Sequence, residues 1–248
     1  MNESQRDYYL NLLGVQRWVV RTAAVQNSTT AAVKIASQVE NQPAPQAGSQ
    51  SAQDQPTEQL DWSALRAKVA GCQACPLHAG RKNTVFGVGS EQADLLIVGE
   101  APGYHEDQQA EPFVGRAGQL LNAMLKAIGL RREQVYISNV LKCRPPNNRD
   151  PQAEEVAQCT SFLQRQVQLL QPSLILAVGR HAAHYLLNTN QSLAMLRGRV
   201  HTCTLGGSRL VVTYHPAYLL RNPRDKIKAY ADLQMTYKLL QDVALPIS

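Results

Sequence analysis

The chain has 248 residues, 44% of them hydrophobic, and a formal charge of +6. That is room for one sizeable α/β domain with an appendage. No apolar run reaches the length of a membrane span, and an N-terminus with Glu3 and Asp7 lacks a signal peptide's basic start, so a cytoplasmic protein is expected. The charge lies beyond residue 60, where 21 Lys/Arg face 14 Asp/Glu; a basic folded domain suits a polyanion such as nucleic acid.

Residues 4–13 predict a short helix, with Ser4 and Asp7 as start signal and Gly14 as stop. Val15 to Arg21 is apolar and basic, with a single Trp18. Residues 1–22 thus form a candidate partner-binding peptide. Residues 23–60 are rich in Ala, Gln, Ser and Thr and carry Pro43, Pro45 and Pro56. They lack a sustained apolar period and are expected to be a disordered linker. The folded domain is expected over 61–248.

Asp61 predicts a helix cap, with Trp62, Leu65 and Val69 on one face of the helix. Leu77 to Asn83 reads as a basic loop, and Thr84 to Gly89 as a short strand or turn. Asp94 to Val98 is apolar without alternation, as in a strand buried on both faces of a parallel sheet. It stops at Gly99-Glu100-Ala101-Pro102-Gly103, where two glycines and a proline forbid continuation. Gly115 to Leu130 has helical spacing of Leu120, Leu121, Met124, Leu125 and Ile128. Val135 to Val140 is a second strand, and the Pro- and Asn-rich stretch to Arg149 a loop. Asp150 is expected to cap a helix to about Leu170, with Pro151 at its first position. Ser173 to Val178 is a third buried strand, with a helix to Leu187 behind Gly179. Val200–Cys203 and Arg209–Tyr214 flank Gly206-Gly207 as a hairpin-like pair. A last helix runs to Leu240. Alternating strands and helices imply a sheet with helices on both faces.

Five cysteines in a cytosolic chain point to metal or catalysis more than to disulfides. Cys72-x2-Cys75 offers two thiolates on one turn, and Cys143 and Cys159 are free to return to the same place. Four soft ligands suit zinc or an iron–sulfur cluster, and the wide second spacing favours a cluster. Cys203 reads as a core residue. Three strand ends carry polar groups: Glu100, Asn139 and His215. With Phe113 in a Gly/Pro-flanked loop, they make a pocket for a flat heterocycle at the ligand edge of the sheet.

From Cys72 to about Leu240 the chain resembles the family 4 uracil-DNA glycosylases, the iron–sulfur branch of the uracil glycosylases. The resemblance rests on Gly99-Glu-Ala-Pro-Gly103, Glu106-Asp107, Pro112-Phe-Val-Gly-Arg-Ala-Gly118, Asn139 to Arg149, and His215-Pro-Ala-Tyr-Leu-Leu-Arg221. It implies a three-layer α/β/α fold with a central, mainly parallel sheet, and a monomer that releases uracil from DNA in base excision repair. It implies a [4Fe–4S] cluster on Cys72, Cys75, Cys143 and Cys159. Glu100, His215 and Asn148 would be catalytic; water would be positioned by Glu106, Asp107 or Asn148. Gly99, Ala101, Phe113, Asn139 and His215 would bind uracil. Ala101 stands where related enzymes place an Asp, so it cannot activate water. Tyr218, Leu219 and Leu220 would wedge into the DNA helix, and Arg221 would hold a phosphate. A non-catalytic iron–sulfur DNA-binding or redox-sensing protein is the alternative. A variant that bonds covalently to the abasic product would carry an inserted basic loop, and Arg149-Asp150-Pro151 runs straight on instead. Residues 8–21, through Leu13-Gly14-Val15, Trp18 and Arg21, resemble the N-terminal peptide of the psi subunit of bacterial DNA polymerase III. That implies a clamp-loader partner and a bacterial, nucleoid-associated enzyme.

Overall fold

A computed structural model describes residues 56–244. The expected peptide at 1–22 and the linker up to residue 55 lie outside the described residues. At the far end of the expected linker, Thr57–Gln59 forms a 3-10 turn and Leu60 is buried, its carbonyl accepting from Arg165 Nε at 2.6 Å.

Among the described residues, six strands form one sheet: β1 (Val88–Gly89), β2 (Leu95–Gly99), β3 (Tyr136–Asn139), β4 (Leu174–Val178), β5 (Val200–Thr202) and β6 (Arg209–Thr213). Their order is β1-β3-β2-β4-β6-β5. The four inner strands are parallel and the two edge strands antiparallel to their neighbours. The chain steps from β2 to β3 on one side and then crosses to β4 on the other. This reversal is the switch point at which open α/β sheets bind ligands.

The strands predicted as doubly buried are so. Leu96 and Val98 pack with Leu163 and Val167 of α5 (Ala153–Leu170) and with Ala182 and Leu186 of α6 (Arg180–Leu187). Leu95 and Ile97 face α4 (Arg116–Lys126), α8 (Pro216–Arg221) and α9 (Lys226–Ala244) through Leu121, Leu219 and Leu233. Each such buried aliphatic contributes about 1.5–3 kcal/mol over exposure. The result is the expected three-layer α/β/α architecture. A third apolar cluster joins Leu65 and Val69 of α1 (Trp62–Ala70) to Leu141, Cys143, Cys159 and Phe162.

Two local expectations are corrected, at 77–80 and at the cap of α5, and two short helices join them for which the sequence carries no reading. Leu77–Gly80, expected as loop, is a helical turn, α2. Tyr104–Gln109 is a helix, α3, although its polar sequence has no apolar period; burial of Asp107 ties it down. Leu193–Leu196 makes a further turn, α7. Asp150 does not cap α5. Gln152 does, in a reciprocal capping box with Glu155, whose carboxylate is also paired by Arg149. Asp61 caps α1 as predicted, accepting from the Ala64 N–H at 2.8 Å. Among the described residues, no helix is long and apolar enough to cross a membrane.

Candidate active site and cysteine site

The loops leaving β2, β3 and β6 enclose a cleft of about 430 Å³. Glu100, Ala101, Phe113, Asn139, Asn148, His215, Tyr218 and Arg221 all line it. Gly99 and Asn139 are register partners across β2 and β3. Gly99 has no room for a side chain: a Cβ there would lie 2.4 Å from Asn139 Oδ1 and 2.7 Å from the Phe113 ring. The two groups therefore meet over this glycine. Asn139 is buried, and its Oδ1 has no hydrogen-bond partner among the described residues. An unsatisfied buried acceptor costs about 1–3 kcal/mol and calls for a donor from outside.

Phe113 sits in the left-handed region at φ 54°, where a non-glycine residue costs about 1–2 kcal/mol. Three contacts hold it there. Arg132 donates to the carbonyls of Phe113, at 3.2 Å, and Pro112. Glu106 Oε1 accepts from the N–H groups of Val114 at 3.0 Å and Gly115 at 3.1 Å. Gly118 lets α4 close onto the Phe113 carbonyl, since a Cβ there would lie 1.7 Å from that oxygen. The ring ends 5.6 Å from the His215 ring, centre to centre.

His215 caps α8. Its Nδ1 accepts from the Ala217 N–H at 3.1 Å, so the neutral ring carries its proton on Nε2. Burial lowers its pKa to about 4; Arg221 adds to the shift and Glu106 opposes it. Gly179, at φ +97°, makes room for it, as a Cβ there would approach His215 Cβ to 3.0 Å. Glu100 is shifted the other way. Burial raises its pKa to about 7, the Asp150 carboxylate adds to this, and Arg180 opposes it. His181 Nε2 lies 3.9 Å from Glu100 and 3.2 Å from Asp150. One cleft thus holds a neutral imidazole donor and a carboxyl group poised near neutrality.

Two expected site residues are not where the sequence put them. Asp107 is buried away from the cleft, and its carboxylate accepts from the backbone N–H groups of Lys82 at 2.9 Å and Asn83 at 3.2 Å. Leu219 is 1% exposed and packs under the sheet, so it cannot enter a DNA helix. Leu220, at 39%, is the exposed member of the pair. Tyr218 stacks on Tyr214 and donates its hydroxyl proton to Asp225 at 2.7 Å. Asn148 lines the cleft with Oδ1 already accepting from Arg144 Nε. Sequence reasoning missed Arg132, Arg180 and His181; no motif spacing marks them.

The four predicted cysteines line a second, common cavity. Arg81 Nη1 lies 3.0 Å from Cys143 Sγ, and the Lys142 N–H lies 3.3 Å from Cys159 Sγ. Burial raises the Cys143 pKa and pushes Cys159 up to about 12. Thiolates here need strong positive charge beside them, as a bound metal provides. Four thiols with two donors aimed at sulfur fit such a group. Cys203 is buried in a different cluster.

The family model of the uracil DNA glycosylase superfamily matches residues 86–240. The type-4 uracil-DNA glycosylase of Archaeoglobus fulgidus is 46% identical over 163 residues, spanning 63% of this chain and 82% of that protein. The type-4 enzyme of Thermotoga maritima is 45% identical, over 65% of this chain and 84% of its own. A type-5 uracil-DNA glycosylase of Pyrobaculum aerophilum is 29% identical, over 61% and 80%.

Proposed function

The chain belongs to the uracil DNA glycosylase superfamily, and from that membership we propose that it hydrolyses the N-glycosidic bond of deoxyuridine in DNA. The products are free uracil and an abasic site. The observation that carries this reading is the buried, unpartnered Oδ1 of Asn139, beside the clamped Phe113 ring and the neutral His215.

The base leaves the stack and enters the cleft. Phe113 stacks on it. Asn139 Oδ1 accepts from uracil N3–H, and its amide donates to O4. Cytosine reverses both groups. As the bond from C1′ to N1 breaks, its electron pair goes to uracil, and charge gathers at O2. His215 Nε2–H donates to that oxygen, and the backbone N–H groups of the Gly99–Gly103 loop add to the field. Water adds to C1′ and gives its proton to Glu100, with the Asn148 amide beside it. Ala101 leaves that task to others. Glu106, which also lines the cleft, holds the Phe113 loop in place. Leu220 fills the gap left in the helix, with Tyr218 behind it, and Arg221 holds a phosphate.

A gel assay on a uracil-containing oligonucleotide, with alkali to cut abasic sites, tests the reading. Cleavage at the uracil supports it. DNA binding without base release would instead make this a binding or sensing protein.

Cys72, Cys75, Cys143 and Cys159 are the proposed ligands of a [4Fe–4S] cluster. When bound it supplies a rigid tie between the end of α1 and the Cys143 loop. Protein purified without air should be brown and carry about four irons per chain. Cys143→Ala should lose the colour and unfold at lower temperature. Zinc in place of iron would refute the cluster.

Glu100 sets the expected pH dependence. Its folded pKa of about 7 lies above the ordinary 4.5. The single-turnover rate should climb with pH up to about 7 and then level, because the ionised form accepts the proton. Glu100→Gln should lower the plateau and abolish the limb. The same shift predicts that native stability falls as pH rises from 4.5 to about 7, since the folded state holds the proton longer. A profile whose limb survives Glu100→Gln assigns the base elsewhere.

Residues 8–21 carry a separate proposal, docking on the replicative clamp loader, supported by the sequence resemblance alone. Residues 1–25 should capture clamp-loader subunits in a pull-down, and Trp18→Ala should not. A bait that captures none ends the idea.

A further inference from the structure

Lys142 is 1% exposed, and its ammonium group lies inside the protein. Nζ donates to Ser138 Oγ at 2.7 Å, to the Asn139 carbonyl at 2.8 Å and to Gln166 Oε1 at 2.7 Å. All three N–H groups are thereby used, and none of the acceptors is a carboxylate. Gln166 is itself fully buried and donates from Nε2 to the Phe86 carbonyl at 2.9 Å. A buried cation held only by neutral acceptors carries a desolvation penalty of several kcal/mol. It calls for negative charge close by.

The main chain of the same residue points to where that charge is. The Lys142 N–H lies 3.3 Å from Cys159 Sγ, and Cys143 is the next residue. Lys142 also lines the cysteine cavity. At its other end the side chain turns back three residues to grip Asn139, whose carboxamide forms the floor of the cleft. One residue therefore touches both sites.

We propose that Lys142 is a positioning residue that couples the two sites: its charge balances the thiolates of the cysteine site, and its hydrogen bonds fix the backbone from which Asn139 meets the base. The proposal rests on the reading of Asn139 and of the cysteines given above. It explains why a lysine stands where an apolar residue would pack at lower cost. An apolar replacement would leave the Asn139 carbonyl, Ser138 Oγ and Gln166 Oε1 without this donor.

The test uses the full chain with its metal bound. Lys142→Met keeps the length and removes the charge. It should lower the single-turnover rate on saturating uracil-containing DNA about tenfold, while affinity for abasic-site DNA stays within about twofold. It should also shift the midpoint potential of the bound iron–sulfur group to more negative values, because a nearby positive charge is lost. A purely structural lysine would lower the melting temperature and leave both readouts of the folded enzyme unchanged. Either readout at its wild-type value overturns the coupling. If Lys142→Met does not fold, Ser138→Ala carries the test. It removes one acceptor and keeps the charge, so the rate should fall by a smaller factor at unchanged potential. An unchanged rate, or a loss of DNA affinity instead, overturns the proposal. If the wild type releases no uracil, the proposed function fails, and the potential alone still decides whether Lys142 faces the cysteine site.

Discussion

Replacing His215 with alanine is expected to cut the single-turnover excision rate by about 10²–10³-fold, with affinity for DNA nearly unchanged. The reason is the stage at which its hydrogen bond matters. In the ground state O2 of uracil is a neutral carbonyl oxygen. As the glycosidic bond breaks, that oxygen gathers negative charge, and a fixed donor in a water-poor cleft gains strength with it. An interaction that grows only toward the transition state lowers the rate and spares binding when it is removed. The ring need not be charged to do this. Its Nδ1 is occupied by the Ala217 N–H, so Nε2 carries the proton that donates. Burial holds its pKa at about 4, well below the ordinary 6.5. The donor is thus the same at pH 5 and pH 8, and His215 adds no limb to the rate profile in that range. It does affect stability. The unfolded chain takes up a proton below about 6.5 and the folded one only near 4, so native stability is lost as pH falls through that window. The Ala variant should lose part of this acid sensitivity. If His215→Ala abolished DNA binding and left chemistry at the wild-type rate, the role assigned to it would be wrong.

Asn139→Asp is expected to lower uracil excision by about 10²-fold or more and to open the cleft to cytosine. A site built to hydrogen-bond a substrate group rejects analogues that lack it by large factors, because its buried partners are left unpaired. Asn139 is such a site: 2% exposed, with Oδ1 free of partners among the described residues. A carboxylate there keeps the acceptor and loses the donor that meets O4. It also sets a negative charge, poorly solvated, beside a leaving group that is becoming an anion. Cytosine offers an amino group at the same edge, which a carboxylate accepts. Parallel assays on uracil- and cytosine-containing oligonucleotides read both effects. A wild-type uracil rate in this variant would remove Asn139 from base recognition.

The layered fold is legible in the sequence because its signal is local. An apolar run without alternation marks a strand buried on both faces, and Leu95 to Val98 and Leu174 to Val178 are such runs. Gly99 to Gly103 has to break that strand, and its composition leaves no other course. The cysteines and the pocket residues were legible as chemical types at ordered positions. What those types do depends on groups far away in the chain. Asp107 and Glu106 are neighbours in sequence, yet one pins Lys82 and Asn83 and the other pins the Phe113 loop. Leu219 and Leu220 are equivalent as letters; α8 is six residues long, too short to display a period, and only its packing decides which one is buried. The shifted pKa values of Glu100 and His215 arise from burial, with Asp150 adding to the first and Arg221 to the second. Desolvation is a property of the assembled cleft, and no single segment carries it. Lys142 reads in the sequence as one more basic residue in a loop. Its meaning comes from Ser138, Gln166 and Cys159, and it is tertiary packing that brings Gln166 and Cys159 of α5 against the end of β3.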